Sequence, residues 1–156
     1  PLVKIRVIPM ELREGNVEVL VTEQFAASGE SVWELLRDFG GILRWNTNGI
    51  ESVSVEGEGI GAVRTIGIPG GIQLQEKLEA RDDDARSFSY SFTGKPVIPF
   101  EDYYATMTVV DEGDSECRVD WKSTFEHPSM EEGAARKLIE GIYLAGFAAL
   151  KQTVEG

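Results

Sequence analysis

Ile72-Gln73-Leu74-Gln75-Glu76-Lys77-Leu78-Glu79-Ala80 alternates residue by residue between two chemistries. Successive side chains of a strand point to opposite sides, so Ile72, Leu74, Glu76, Leu78 and Ala80 share one face, and Gln73, Gln75, Lys77 and Glu79 share the other. The first face is apolar apart from Glu76. A carboxylate left alone on a core face costs roughly several kcal/mol. Either Glu76 has a buried partner, or its face lines a cavity that water reaches.

A partner stands one strand earlier. Ala62, Arg64, Ile66 and Ile68 fall on one face, which sets Arg64 among apolar neighbours as Glu76 is set. Pro69-Gly70-Gly71 joins the two segments with turn chemistry, so they pair as an antiparallel hairpin. Two readings follow. The arginine and glutamate orient a ligand on the concave side of the hairpin, or they form a structural salt bridge that closes one end of the core.

The 156 residues suit one domain spanning the chain, with 1–13 as an extended arm or an extra strand. A net charge of −12 excludes a nucleic-acid surface, which needs clustered Lys and Arg, and argues against docking on anionic lipid. Cys117 stands alone, so no intramolecular disulfide forms and a reducing compartment is expected. No apolar run approaches the roughly 18 residues of a membrane span. The opening Pro1-Leu2-Val3-Lys4-Ile5-Arg6 lacks the apolar core of a secretory signal. Together these predict a cytoplasmic protein. No pattern specifies an oligomeric state.

Outward from the hairpin, the alternation predicts a strand at 16–25, then a helix capped by Ser28 or Ser31 that runs through Val32, Trp33, Leu35, Leu36 and Phe39. Gly40-Gly41 stops it, and a second short helical turn covers 42–45. Strands follow at 52–56, 61–68, 72–80, 86–93, 102–110 and 118–126, divided by Gly- and Asp-rich turns. After His127-Pro128 the period lengthens, and 130–154 reads as one helix with Leu138, Ile142, Ala145 and Ala149 in a stripe. The fold class is α+β: a curved antiparallel sheet of about six or seven strands around a long C-terminal helix, with two short helices after the first strand.

That order resembles the helix-grip fold of the START-like, or SRPBCC, superfamily, and within it the polyketide cyclase/dehydratase and lipid-transport family. Ser31-Val32-Trp33 with Asp38-Phe39, Gly61-Ala62-Val63-Arg64, Glu76-Lys77-Leu78-Glu79, Tyr103-Tyr104, Trp121 and the helix after Pro128 carry the likeness. It implies a hydrophobic small-molecule ligand held between sheet and C-terminal helix. A more distant likeness to plant abscisic acid receptors implies that Arg64 and Glu76 bind a polar group through waters, with Tyr104 and Thr106 beside them. In those receptors a gate loop matches 68–71, but their ligand-gripping lysine falls near Gly40-Gly41, where no lysine stands. Receptor function is therefore not implied.

The remaining candidates are aromatic and hydroxyl side chains. Phe88, Tyr90 and Phe92 share a face that reads as core or as pocket wall. Trp121 shares one with Ser123, a hydroxyl among apolar neighbours. On 102–110 the inward set is either Tyr103, Ala105 and Met107 or Tyr104, Thr106 and Thr108, and the family likeness favours the second. Ile66, Ile68, Leu74 and Ile142 complete the expected ligand wall. His127 is the only histidine, which removes His-rich metal sites, and Asp82-Asp83-Asp84 lacks calcium-loop spacing. No metal site or cofactor motif is expected. Three functions remain: binding of an aromatic or polycyclic, lipid- or polyketide-like molecule; a cyclase/dehydratase-like enzyme with Glu76 as acid/base and Arg64 and a tyrosine as oxyanion stabilisers; and a protein-interaction module.

Overall fold

The computed structural model describes residues 16–95 and 97–156; the arm or strand expected at 1–13 lies outside them. Seven strands form one antiparallel sheet: β1 (Asn16–Phe25), β2 (Ser52–Glu56), β3 (Val63–Ile68), β4 (Ile72–Asp82), β5 (Ser87–Thr93), β6 (Glu101–Asp111) and β7 (Cys117–Glu126). Their order across the sheet is β1-β7-β6-β5-β4-β3-β2, so β1 closes the far edge against β7. Helix α1 (Gly29–Leu36) and a 3-10 helix (Phe39–Arg44) follow β1, and α2 (Glu132–Glu155) ends the chain. This is the helix-grip fold.

The β3–β4 hairpin takes the register its alternation dictates, with Arg64 directly opposite Glu76 and Ile66 opposite Leu74. Gly70 and Gly71 turn it at φ +93° and +75°, values that side chains with a Cβ rarely adopt. Register shifts at Leu78/Ala80 and at Glu101/Tyr104 interrupt the ladders, the kind of irregularity at which strands bend.

Three expectations need correction. The first helix ends at Leu36, because the Arg37 N–H closes onto the Trp33 carbonyl and Asp38 turns extended (φ −81°, ψ 90°). Phe39, Gly40 and Gly41 belong to the next helical segment. Glycine is needed at position 40 because β2 packs against it: a Cβ there would come within 2.8 Å of Val55 Cγ2.

The buried face of α2 is Ala135, Ile139, Tyr143, Gly146, Phe147 and Leu150, with Ala149 beside it. Leu138, Ile142 and Ala145 are exposed. The helix is turned this way because Gly146 admits the Trp121 indole, whose Cζ3 would lie 2.9 Å from a Cβ at 146.

On β6 the inward set is Tyr103, Ala105, Met107 and Val109. Tyr104 is 42% exposed, and Thr106 faces away from the core, sharing a 2.7 Å hydroxyl bond with Ser89 on β5. The cause is the irregularity at the start of β6, where Asp102 adopts φ +53° and sets the phase of the strand.

Candidate functional site

The core is solid at one end and hollow at the other. Phe25, Phe147 and Leu150 fill the end beneath the C-terminal half of α2. Toward the β3–β4 turn a cavity of about 250 Å³ opens between sheet, 3-10 helix and α2. Partly exposed Ile50, Ile68, Leu74 and Ile98, with exposed Ile142, form its rim. Asn48 fixes that rim to α2 by donating to the Ala145 carbonyl at 3.1 Å.

Arg64 and Glu76 stand on the cavity wall at 4% and 5% exposure. The guanidinium grips one carboxylate oxygen twice, Nε to Oε1 at 2.8 Å and Nη2 to Oε1 at 2.7 Å. Its Nη1 donates to the Phe39 carbonyl at 3.0 Å. The Phe39 ring lies 4.0 Å below the guanidinium carbon and the Tyr90 ring 5.3 Å from it, so π faces stand where water would otherwise solvate the charge. Glu76 Oε2 takes no hydrogen bond among the described residues.

A hydroxyl cluster stands on the same cavity. Trp121 Nε1 donates to the Tyr90 hydroxyl at 3.1 Å, and the Tyr103 and Tyr143 hydroxyls bond to each other. The Tyr103 ring stacks on Phe92 at 3.9 Å, and Tyr143 stacks on Trp121 at 4.1 Å. Burial pushes the ionisation of Tyr90 and Tyr103 far above the ordinary phenol range, and that of Tyr143 upward too. All three are neutral donors at physiological pH.

Of the side chains singled out from sequence, Arg64, Ile66, Ile68, Leu74, Glu76, Tyr90, Trp121 and Ile142 stand on this cavity. Phe88 does not; it packs behind the wall against Trp33 and Phe39. Ser123 is buried in the layer next to Tyr143 rather than on the lining. Tyr104 and Thr106 lie on the opposite surface of the sheet. Sequence reasoning missed Tyr103 and Tyr143 as site residues. Tyr143 could have been found from its spacing of four from Ile139 and from Phe147, which puts all three on one helical face. A wider groove of about 490 Å³ lies beyond the Phe92–Tyr103 stack among Ser91, Thr93, Lys95 and Tyr104, and lacks a buried ionic pair.

The sequence family described as "Polyketide cyclase / dehydrase and lipid transport" matches residues 16–155. The chain belongs to that family. Among solved structures, an uncharacterised protein from Bacillus thuringiensis is 27% identical, with TM-score 0.82 over 90% of this chain and 100% of its own. The protein XoxI from Bacillus cereus is 29% identical, with TM-score 0.80 over 88% of this chain and 94% of its own. Norcoclaurine synthase from Thalictrum flavum shares the fold at 17% identity, with TM-score 0.71 over 89% of this chain and 94% of its own. No curated protein matches the chain in sequence. Membership places the chain in the SRPBCC superfamily as a ligand-binding domain, and no helix among the described residues is long and apolar enough to cross a membrane.

Proposed function

We propose that this protein binds a small ring-containing molecule, apolar over most of its surface, with a polar substituent directed at Arg64 and Glu76. One observation carries the reading: a desolvated ion pair stands on the wall of a largely apolar cavity, and Glu76 Oε2 has no hydrogen-bond partner among the described residues. Few, fixed polar groups in apolar surroundings are how such cavities orient ligands. The size narrows the class. A volume of 250 Å³ is about the share of eight liquid waters, which suits one or two fused rings better than a long-chain lipid.

Native mass spectrometry of freshly purified protein tests this, beside a fluorescence titration with 2-naphthol. The expected result is a co-purifying small molecule or saturable 2-naphthol binding, both lost when Ile66→Trp fills the cavity. No adduct and no saturable probe binding would remove the reading.

The bare Oε2 also supports a second reading, a cyclase/dehydratase-like reaction. Glu76 would move a proton next to a ligand carbonyl, while Arg64 and a phenol hold the enolate oxygen. Glu76→Gln then abolishes turnover and leaves binding near normal; undiminished turnover would discard the role.

A further inference from the structure

A buried arginine on a cavity wall ordinarily marks a place for an anion, because a guanidinium is a fixed positive charge with five N–H donors. Arg64 is not free to act in that way. Its Nε and Nη2 both reach Glu76 Oε1, at 2.8 Å and 2.7 Å, and Nη1 donates to the Phe39 carbonyl at 3.0 Å. The Phe39 and Tyr90 rings stand 4.0 Å and 5.3 Å from its central carbon, so aromatic rings crowd it as well.

The carboxylate is gripped on one oxygen only. Both guanidinium contacts fall on Oε1, and Oε2 takes no hydrogen bond among the described residues. Nor is Oε2 sealed: the described side-chain atoms that are both fully buried and unpaired belong to Asn16, Ser123 and His127. With the whole residue 5% exposed, the surface that Oε2 keeps is what the cavity gives it. A ligand therefore meets the pair as a bare acceptor, with two guanidinium N–H groups left over.

Charge decides what that acceptor admits. Arg64 and Glu76 already balance each other. A ligand carboxylate would enter as a third, uncompensated charge in a largely apolar space, and would bring Oε2 no proton. An ammonium would be just as uncompensated. A hydroxyl or a carboxamide is neutral, offers Oε2 a proton, and carries an oxygen that can accept a leftover guanidinium N–H.

We propose that the cavity selects neutral ring compounds bearing a hydroxyl or carboxamide group and rejects ionised carboxylic acids, despite the arginine in its wall. This rests on the cavity reading above and adds to it the charge and hydrogen-bonding class of the ligand. Glu76 is the specificity-determining residue, acting through Oε2, while Arg64 holds Oε1 and balances the charge.

Two matched pairs of probes test it by equilibrium dialysis at about pH 7, where an aryl carboxylic acid is ionised. 2-Naphthol and 2-fluoronaphthalene share a shape, and only the first has a proton to donate. 2-Naphthamide and 2-naphthoate share a shape, and only the second is charged. The unaltered protein should favour 2-naphthol over 2-fluoronaphthalene by roughly tenfold. It should favour 2-naphthamide over 2-naphthoate by roughly a hundredfold. Glu76→Gln keeps an acceptor oxygen but removes the balancing charge. In that variant 2-naphthamide should bind within about threefold of its former affinity, while 2-naphthoate gains and overtakes it. Equal binding of 2-naphthol and 2-fluoronaphthalene, or of 2-naphthoate and 2-naphthamide, in the unaltered protein overturns the inference and leaves the cavity reading standing. Continued rejection of 2-naphthoate by a Glu76→Gln protein that still binds 2-naphthamide overturns it too. Where that variant does not fold, the two comparisons in the unaltered protein decide. Failure of every probe to bind overturns the cavity reading, and this inference with it.

Discussion

Arg64–Glu76 and Arg37–Asp83 are almost the same bond, with guanidinium Nε 2.8 Å from a carboxylate oxygen in each. Both tie the short helices to the β4 region of the sheet: Arg64 reaches the Phe39 carbonyl, and Asp83 also accepts from the Trp33 indole at 2.9 Å. Their surroundings differ completely. Side-chain exposure is 5% and 7% in the inner pair and 41% and 56% in the outer one. Bond length therefore says little about what either pair contributes. In the inner pair each charge depends on the other, because water has been removed from both. In the outer pair solvent screens each charge and can replace its partner. The inner pair stands on the wall of the cavity, and the outer pair secures a turn.

The largest expected effect comes from breaking the inner pair on one side. Glu76→Leu leaves a guanidinium buried with only the Phe39 carbonyl and two ring faces, and should cost about 3–5 kcal/mol in urea unfolding. Adding Arg64→Met should restore most of that loss, since two apolar side chains need no compensation in an apolar wall. A single-variant cost near that of a surface pair would mean that cavity water already solvates Arg64, and the contrast between the two pairs would disappear.

How much of this was legible in the sequence depended on whether one strong pattern governed each element. The β3–β4 hairpin was legible because strict alternation and a Pro-Gly-Gly turn leave one register, and that register sets Arg64 across from Glu76. The order of strands and long last helix was legible for the same reason, since the turn chemistry divides strands of clear period, and the resemblance to a known family supplied the helix-grip arrangement. The phase of β6 was not. Both of its faces mix aromatic and small residues, and the irregularity at Asp102 that decides between them involves a residue type with no special signal there. The orientation of α2 was misjudged because Gly146 counts as nothing in an apolar stripe, yet it is where Trp121 seats. Asp83 read as one of three turn carboxylates. Its bonds to Trp33 and Arg37 come from chain 50 and 46 residues away, which no local pattern records. The pairing of Glu23 on β1 with Lys151 on α2 at 3.0 Å also joins distant parts of the chain.

Salt should separate the two pairs next. Raising ionic strength from about 0.01 M to 1 M shortens the screening length from about 30 Å to about 3 Å. The coupling measured by a double-mutant cycle of Arg37→Gln and Asp83→Asn should fall toward zero over that range. The coupling from Arg64→Met and Glu76→Leu should hold, because ions do not enter the space between those charges. Equal salt sensitivity in the two cycles would show that the inner pair is wet.

The smallest effect is the one with a defined pH window. The Arg37 hydrogen bonds, and then the Trp33 indole N–H, hold the Asp83 carboxyl down to about 2 from an ordinary 3.8. A carboxyl depressed in the folded state adds stability that is complete above its unfolded value and is lost as pH falls through the folded one. The stability difference between the unaltered protein and Asp83→Asn should therefore be flat above about pH 5 and shrink between about pH 4 and pH 2. Carboxyl NMR gives the same information without unfolding the chain: the Asp83 resonance should titrate near 2 in the unaltered protein. Arg37→Gln should move that midpoint up further than Trp33→Phe, because the guanidinium bonds are the larger cause. The reverse order would make the indole, and so the packing of α1 on the β4–β5 turn, the main partner of this carboxylate, and the outer pair would then owe its geometry to a neutral donor rather than to its charge.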